Sequence, residues 1–346
     1  MEVAELPLPP TLRSKLQAAG YLTLDRSISP IQLAEDAEIT PKEALDILKL
    51  VPKNNILGSG SGGESIIEGA QTAWDILHDE KARKRIVTSC RELDDILGGG
   101  IGSKEVTEIS GAPGVGKTQL GIQLSINVQI PPEFGGIGGH AVYIDTEGSF
   151  MIERASQMAE SCIEDIEIRA PADLQVELEE LKDKLNFNTF LSHIYYFRVH
   201  SAAEQIAVVN RMEHFLSEHK QVRLIVIDSV AFHFRQGFES MGERTRILCS
   251  LAQTLVGLSE KYELAVVIIN QITHKFTEEG AKVQPALGET WAHSTTNRLA
   301  LYWGDDGQRH ALLLKSPSLP RKAASYTISS CGIRSVGQNM QQAPPD

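Results

Sequence analysis

Gly111, Ala112, Pro113, Gly114, Val115, Gly116, Lys117 and Thr118 stand in an uninterrupted run whose types and order suit a phosphate-binding loop. Glycines at 111, 114 and 116 let the backbone turn tightly and bring its N–H groups against phosphate oxygens, and a helix beginning just beyond adds the positive end of its dipole. Lys117 is placed to reach the outer phosphates of a nucleoside triphosphate and to serve catalysis there. The Thr118 hydroxyl is placed to ligate Mg2+, and Gln119 belongs to the same nucleotide-binding set. The flanks are what the loop requires: residues 106–109 are strand-forming, while Leu120, Ile122, Leu124 and Ile126 recur among polar residues over a helical length. A Gly-rich turn that fits by chance would need neither flank.

Polar residues just after apolar runs come next, because reactive groups in an open α/β sheet collect where its strands end. Residues 224–227 are apolar and end in Asp228, the form of a strand whose carboxylate serves the metal shell. The alternative is a helix-capping Asp; the phosphate loop favours the metal role. In the run Tyr143-Ile-Asp-Thr-Glu-Gly148 two carboxylates are spaced by one residue. Glu147 is the candidate base, since in-line attack on a γ-phosphate needs a carboxylate that the metal does not neutralise. Asp145 orients neighbouring groups or joins the outer shell of the metal. Asn270-Gln271 closes a third run, 264–269, and an amide at Gln271 is placed to sense the γ-phosphate.

These groups need a scaffold, and 346 residues with 42% hydrophobic content allow a main domain plus a smaller one. No apolar run nears the roughly 20 residues of a membrane span and the N-terminus lacks the blocks of a signal peptide, so a soluble, intracellular protein is expected. Cys90, Cys162, Cys249 and Cys331 are scattered without paired spacing, which argues against a zinc site or a disulfide framework. A net charge of −12 excludes a broadly basic nucleic-acid surface, so any DNA contact must be local. The acidic residues between 164 and 183 read as a solvated helix face.

Residues 11–52 hold three short periodic stretches separated by turn signals, and Thr40-Pro41 followed by Glu43 is a helix start with a cap that Glu43 completes. A Gly-Ser run at 58–63 behaves as a flexible coil. The expected organisation is a small helical domain over 1–53, a linker over 54–85, a core over 86–337 and a tail over 338–346. Within the core, short apolar runs at 106–109, 141–144, 194–199, 224–227 and 264–269 alternate with helical patterns, which predicts an α/β fold with a mostly parallel central sheet covered on both faces. Runs at 299–303, 311–314 and 326–328 are closely spaced and predict antiparallel strands at one edge.

The phosphate loop, Tyr-Ile-Asp-Thr-Glu-Gly-Ser-Phe at 143–150, Leu-Ile-Val-Ile-Asp-Ser at 224–229, Asn270-Gln271 and Ala-His-Ser-Thr-Thr-Asn-Arg-Leu at 292–299 follow the order seen in RecA-type strand-exchange recombinases, and the chain resembles their eukaryotic Rad51 branch over nearly its whole length. Leu-Gly-Gly-Gly at 97–100, Ser-His-Ile-Tyr-Tyr-Phe at 192–197 and Lys-Ser-Pro at 315–317 are similar to the C-type paralogues of that branch. The resemblance implies a RecA-like ATPase core with ATP and Mg2+: Lys117 and Thr118 on phosphate and metal, Glu147 as base, Arg154 stacked near adenine, Asp228 on the metal, Gln271 as sensor. It also implies two DNA-facing segments, about 232–243 and 272–290, which carry Arg235, His274, Lys275 and Lys282 against Glu239, Glu278 and Glu279. The plain alternative is a pair of solvent-exposed loops, because near-neutral loops release few counterions.

Three positions depart from the family. Its filament formers anchor a Phe-x-x-Ala motif in the next subunit; aligned on Thr72-Ala73, this chain has Ala70 where that Phe belongs. Ile66, Ile67, Ala73 and Trp74 are the candidates to engage a different partner, although Trp74 equally suits packing on its own domain. Lys315 stands where self-polymerising members place an Asp over the neighbouring ATP. It reaches a triphosphate in trans or is a solvated edge-strand lysine. Met151-Ile152 replaces the usual Arg-Pro, with no functional account.

The reading that follows is a slow, DNA-dependent ATPase acting in homologous recombination and DNA repair. It sits in a hetero-oligomer with B-type and XRCC-type paralogues, binds single-stranded or branched DNA, and supports the main strand-exchange recombinase. The resemblance implies the nucleus, with the cytoplasm as a second compartment, and no membrane. The alternative is a nucleotide-gated scaffold in which ATP fixes interfaces and turnover is incidental. Because truncating an aromatic anchor to Ala removes several kcal/mol from an interface, the chain alone with ATP is expected to form no filaments in electron micrographs; filaments would overturn the reading of Ala70.

Overall fold

The computed structural model describes residue 3, residues 8–21, positions within 33–47, residues 73, 74 and 80, and then 83–171, 174–181, 185–235, 240–277 and 280–337. The chain divides into two compact units, Met1–Lys81 and Ala82–Asp346. In the first, helix α1 (Pro10–Ala18) starts with a proline in its first turn, where the missing N–H costs nothing. Its Leu16 is buried with Val3, Leu33, Ala34, Ala44 and Ile47 in a small apolar core. The cap expected at Thr40 forms: the Glu43 N–H donates to Thr40 Oγ1 at 3.2 Å, and the Thr40 N–H donates to Glu43 Oε2 at 2.9 Å. Ile66, Ile67 and Ala70 lie outside the described residues, as does the Gly-Ser run; Ala73 and Trp74 are helical and exposed.

The second unit opens with β1 (Arg85–Ile86), α2 (Arg91–Ile96) and β2 (Ile101–Gly102), the two strands pairing antiparallel. Strand β3 (Val106–Gly111) then leads into α3 (Lys117–Asn127), and β4 (His140–Asp145) into α4 (Ile152–Arg169), α5 (Gln175–Leu181) and α6 (Phe187–Ser192). Strand β5 (Ile194–Arg198) precedes α7 (Ala202–Glu218), and β6 (Val222–Asp228) precedes α8 (Met241–Lys261). Next come β7 (Ala265–Thr277), β8 (Gly280–Pro285), α9 (Gly288–Ser294), β9 (Asn297–Trp303), β10 (Arg309–Lys315), β11 (Ala323–Ser329) and β12 (Gly332–Arg334).

The main sheet runs β12-β11-β10-β9-β3-β7-β6-β4-β5, and β8 pairs with β7 outside that path. From β9 to β5 the neighbours are parallel, as helix-length crossovers demand. From β9 to β12 they are antiparallel, as the short connections predict. A period of two divides the strand residues between two cores. Leu224, Val226, Val267 and Ile269 pack with Leu120 and Met158 of α3 and α4. Ile225, Ile227, Val266 and Ile268 pack with Met212 and Leu251 of α7 and α8.

Helix α3 is buried over most of its length although it carries Gln123, Ser125 and Asn127. Each polar group has a partner: Gln123 Nε2 donates to Asn127 Oδ1 at 2.9 Å, Asn127 Nδ2 to Val87 O at 2.7 Å, and Ser125 Oγ to Gly121 O at 2.9 Å. Gly121 lets the helix lie close on the sheet, since a Cβ there would meet Ile269 Cδ1 at 3.0 Å and Val226 Cγ1 at 3.2 Å.

One expectation is corrected. The segment after Gln271 is not a loop: β7 continues to Thr277 and returns as β8, with Lys275 opposite Lys282 and His274 opposite Val283. The β-branched and aromatic residues Ile272, Thr273, Phe276 and Thr277 favour this extension.

At the sheet edge opposite to the phosphate-loop end of the strands, His140 stacks on His193 with ring centroids 3.9 Å apart, and His219 packs edge-on to Tyr195 at 4.8 Å. Burial, then the neighbouring His193 and His219, push the His140 pKa from the ordinary 6.5 down to about 4. Burial pushes His193 down as well. With folded values below the unfolded one, this contribution to stability is fully present above about pH 6.5 and is lost as the pH falls toward 4. Melting temperatures are therefore expected to drop across that window, and His140→Gln to flatten the slope; an unchanged slope would refute the role of the cluster.

Candidate active site

Strand β3 ends at Gly111 and α3 begins at Lys117, so the loop spans the gap between a strand end and a helix start. Gly114 takes φ 76° and Gly116 takes φ 111° as the N-cap of α3; at Gly116 a Cβ would also lie 2.3 Å from Ile328 Cδ1. Tyr326 OH donates to Val115 O at 2.8 Å and pins the loop to β11. Ala112 is half-buried, while Pro113 and Gly114 form the exposed crest. Lys117 Nζ donates to the carbonyl oxygens of Gly111 and Ala112, each at 2.9 Å. Burial lowers its pKa, and the carboxylates of Asp228 and Glu147 oppose that shift.

Asp228, at the end of β6, is buried, and its Oδ2 accepts from Thr118 Oγ1 at 2.7 Å, Tyr143 OH at 2.9 Å and Ser149 Oγ at 3.2 Å. Burial raises its pKa, and the hydroxyls of Thr118 and Tyr143 counter that. Thr118 and Asp228 thus present two hard oxygens 2.7 Å apart beside the phosphate loop. The pair fits Mg2+, which takes one or two protein oxygens and completes its octahedron with phosphate and water.

Asp145 and Glu147 do different things. Asp145 is fully buried; its Oδ1 accepts the N–H groups of Glu147, Gly148 and Ser149 at 3.1, 2.7 and 3.2 Å. Its Oδ2 accepts the Phe150 N–H at 3.1 Å and Tyr196 OH at 3.0 Å. This carboxylate holds the turn that carries Glu147, which is the orienting role. Glu147 Oε1 accepts from Ser229 Oγ and from Gln271 Nε2, each at 2.6 Å. Thr146 and Ser229 clamp the ends of β4 and β6 together: Thr146 Oγ1 donates to Ser229 O and accepts the Ser229 N–H, both at 2.8 Å.

Gln271 lies opposite Gly111 in the parallel pairing of β3 and β7, next to the phosphate loop, and its Oε1 accepts from the exposed Arg235. Asn270 turns away from the site, with Nδ2 donating to Glu108 Oε1 at 2.6 Å in a buried cluster that Arg298 completes. Arg154 leaves α4 and spans to other elements: Nε donates to Gln119 Oε1 at 2.6 Å, NH1 to Ser330 O at 2.5 Å, and NH2 to Ser329 O. Burial lowers its pKa. Lys315 is half-buried, and its strand β10 is not an edge strand but lies between β9 and β11. Its Nζ donates to Ala292 O at 3.0 Å and Thr295 O at 2.5 Å, capping the C-terminal end of α9. Met151 and Ile152 are exposed, and nothing in the structure explains them. His274, Lys275 and Lys282 occupy backbone positions on the β7–β8 ribbon, and their side chains lie outside the described part.

The structure thus brings together Lys117, Thr118, Asp228, Glu147, Gln271 and Arg235. Sequence reasoning missed Tyr143, Ser149 and Ser229. A signal existed for the first: Tyr143 precedes Asp145 by two residues, so both point to one side of β4.

Comparison with known proteins adds a second line. The Rad51 family profile matches residues 80–168 and 176–336. The "DNA repair protein RAD51 homolog 3" of Cricetulus griseus is 40% identical over 96% of this chain and 92% of its own length. The protein of the same name from Dictyostelium discoideum is 39% identical over 78% of this chain and 70% of its own. The "DNA repair and recombination protein RadA" of Aeropyrum pernix is 32% identical over 96% of each.

The two carboxylates separate in an unfolding experiment. Asp145→Asn removes an acceptor from a buried turn and is expected to cost about 2–4 kcal/mol in denaturant unfolding. Glu147→Gln should stay within about 1 kcal/mol, because an amide keeps the reach of the side chain. Equal losses would contradict the division of roles.

Proposed function

The chain belongs to the Rad51 family, and from that premise we propose that it is an ATP-binding recombination mediator that hydrolyses ATP slowly in a DNA-dependent manner. The observation that carries this reading is the convergence of Lys117, the Thr118–Asp228 pair and Glu147 at the ends of β3, β4 and β6.

In this reading the loop N–H groups and Lys117 bind the phosphates, and Thr118 with Asp228 hold Mg2+. The metal, when bound, neutralises charge on the β- and γ-phosphates. Asp145 fixes the turn from which Glu147 points, and Glu147 takes up a proton from the attacking water. Gln271 lies close enough to both Glu147 and the loop to sense the γ-phosphate. Slow turnover follows from Glu147 being engaged by two protein donors.

The ribbon of β7 and β8 supports a local contact with single-stranded or branched DNA. In the register of that pair Lys275 stands opposite Lys282, two basic residues at one level of the ribbon, which suits a local phosphate contact. Ala70 favours assembly with unlike paralogues, B-type and XRCC-type, that support the main recombinase in the nucleus. Arg154 and Gln119 remain the adenine-side candidates. The capping contact of Lys315 favours a structural role over reach into a neighbour's triphosphate.

The test is ATP turnover with and without single-stranded DNA, for the chain alone and with its partner. Lys117→Ala should abolish nucleotide binding. Glu147→Gln should retain binding and lower kcat by about 100-fold to 10,000-fold, the range for a general base. If Glu147→Gln instead leaves assembly and repair function intact while Lys117→Ala destroys both, the nucleotide-gated scaffold replaces this reading.

A further inference from the structure

Gln271 stands between two charged groups that it alone connects in the described structure: its Nε2 donates to Glu147 Oε1 at 2.6 Å and its Oε1 accepts from the Arg235 guanidinium. Elementary chemistry fixes the direction of this amide. A carboxylate only accepts and a guanidinium only donates, so nitrogen must face Glu147 and oxygen must face Arg235. Flipping it would oppose like groups at both ends. Glutamine is neutral and bifunctional, so it can carry a rearrangement at one end to the other.

The two ends differ in what they can meet. Glu147 lies inside the site, where Ser229 Oγ is its second donor. Arg235 is exposed and follows directly on the short 3-10 turn Phe232–Phe234, at the edge of the segment after β6. A neutral amide oxygen is a weak rival for a guanidinium: a phosphodiester offers two charged oxygens in the fork geometry that arginine prefers. A nucleic-acid backbone reaching Arg235 would therefore take it from Gln271.

We propose that Arg235 is a positioning residue through which a phosphodiester backbone operates the catalytic carboxylate. While Arg235 holds the Gln271 oxygen, the amide N–H stays on Glu147 Oε1, and that oxygen is turned to protein donors rather than to a water in line with a γ-phosphate. When phosphate captures the guanidinium, the carboxamide loses its orientation and Glu147 is released. The inference rests on Glu147 as the general base and adds how DNA would control it. An incidental surface contact is the alternative.

Steady-state ATP hydrolysis by the full chain, with and without oligodeoxythymidine, tests the link in wild type, Arg235→Ala and Arg235→Lys. Arg235→Ala is expected to raise the DNA-free kcat about fivefold to tenfold, leave the KM for ATP unchanged, and shrink stimulation by DNA to less than about twofold. Arg235→Lys, which still donates to the amide and still binds phosphate, should restore most of the coupling. A DNA-free kcat at the wild-type level, or a fall in both rates by the same factor, overturns the proposal.

A second readout does not depend on turnover. In a chain labelled with 15N-glutamine, the side-chain amide resonance of Gln271, identified by its loss in Gln271→Met, should shift on adding oligodeoxythymidine to wild type. It should start shifted and stay insensitive to oligodeoxythymidine in Arg235→Ala. If it does not move in wild type, the link fails whatever the kinetics show. If it moves but Glu147→Gln turns over like wild type, the link stands and the assignment of the base falls.

Discussion

Everything in the candidate active site depends on a buried carboxylate oxygen, Asp228 Oδ2, that is shared by hydroxyls from three elements. Thr118 comes from the first turn of α3, Tyr143 from β4, and Ser149 from the turn beyond β4. Burial alone would favour a neutral acid there, and the donors are what make an anion tolerable in the folded protein. The same three hydroxyls register the phosphate loop against the strand that carries Asp145 and Glu147. Loss of that carboxylate would therefore loosen the loop and the turn that carries Glu147 together.

Asp145 supplies the second constraint. The turn that carries Glu147 must satisfy its own backbone, and here consecutive N–H groups of residues 147–150 converge on one buried side chain. With its oxygens used in this way, Asp145 is poorly suited to a metal. Glu147 is left at the tip, held from the side by Ser229 and Gln271. The spacing Asp-x-Glu is thus a division of labour between the residue that builds the turn and the residue that the turn presents.

The parallel sheet was readable because crossover helices and apolar strands alternate strongly, and the phosphate loop because its backbone demands are peculiar to glycine at fixed places. Asp228 and Glu147 were readable because each follows an apolar run. The hydroxyls around Asp228 were not, since Tyr, Ser and Thr near a strand end have many other uses and only the fold says which oxygen they share. The β7–β8 ribbon was missed for another reason: its strands stand beyond the sheet, so no covered face imposes the apolar run by which the other strands were recognised. Lys315 shows a third limit, because its partners are backbone carbonyls of α9, which carry no signature in sequence.

Net charge and local charge then have to be weighed together. The chain carries −12 overall, a total that repels a polyanion at long range and screens out within about 10 Å at ordinary salt. Contact with a phosphate backbone is decided inside that distance. There the register of β7 with β8 sets Lys275 against Lys282, and Arg235 leaves the neighbouring segment with its guanidinium on an amide, not on a carboxylate. An arginine whose acceptor among the described residues is a neutral amide is an arrangement that a phosphodiester improves. An acidic chain with such a position suits contact with a phosphate backbone at one place rather than along its surface, and in the proposed reading that place adjoins Gln271, which lies within β7 opposite Gly111 of the phosphate loop.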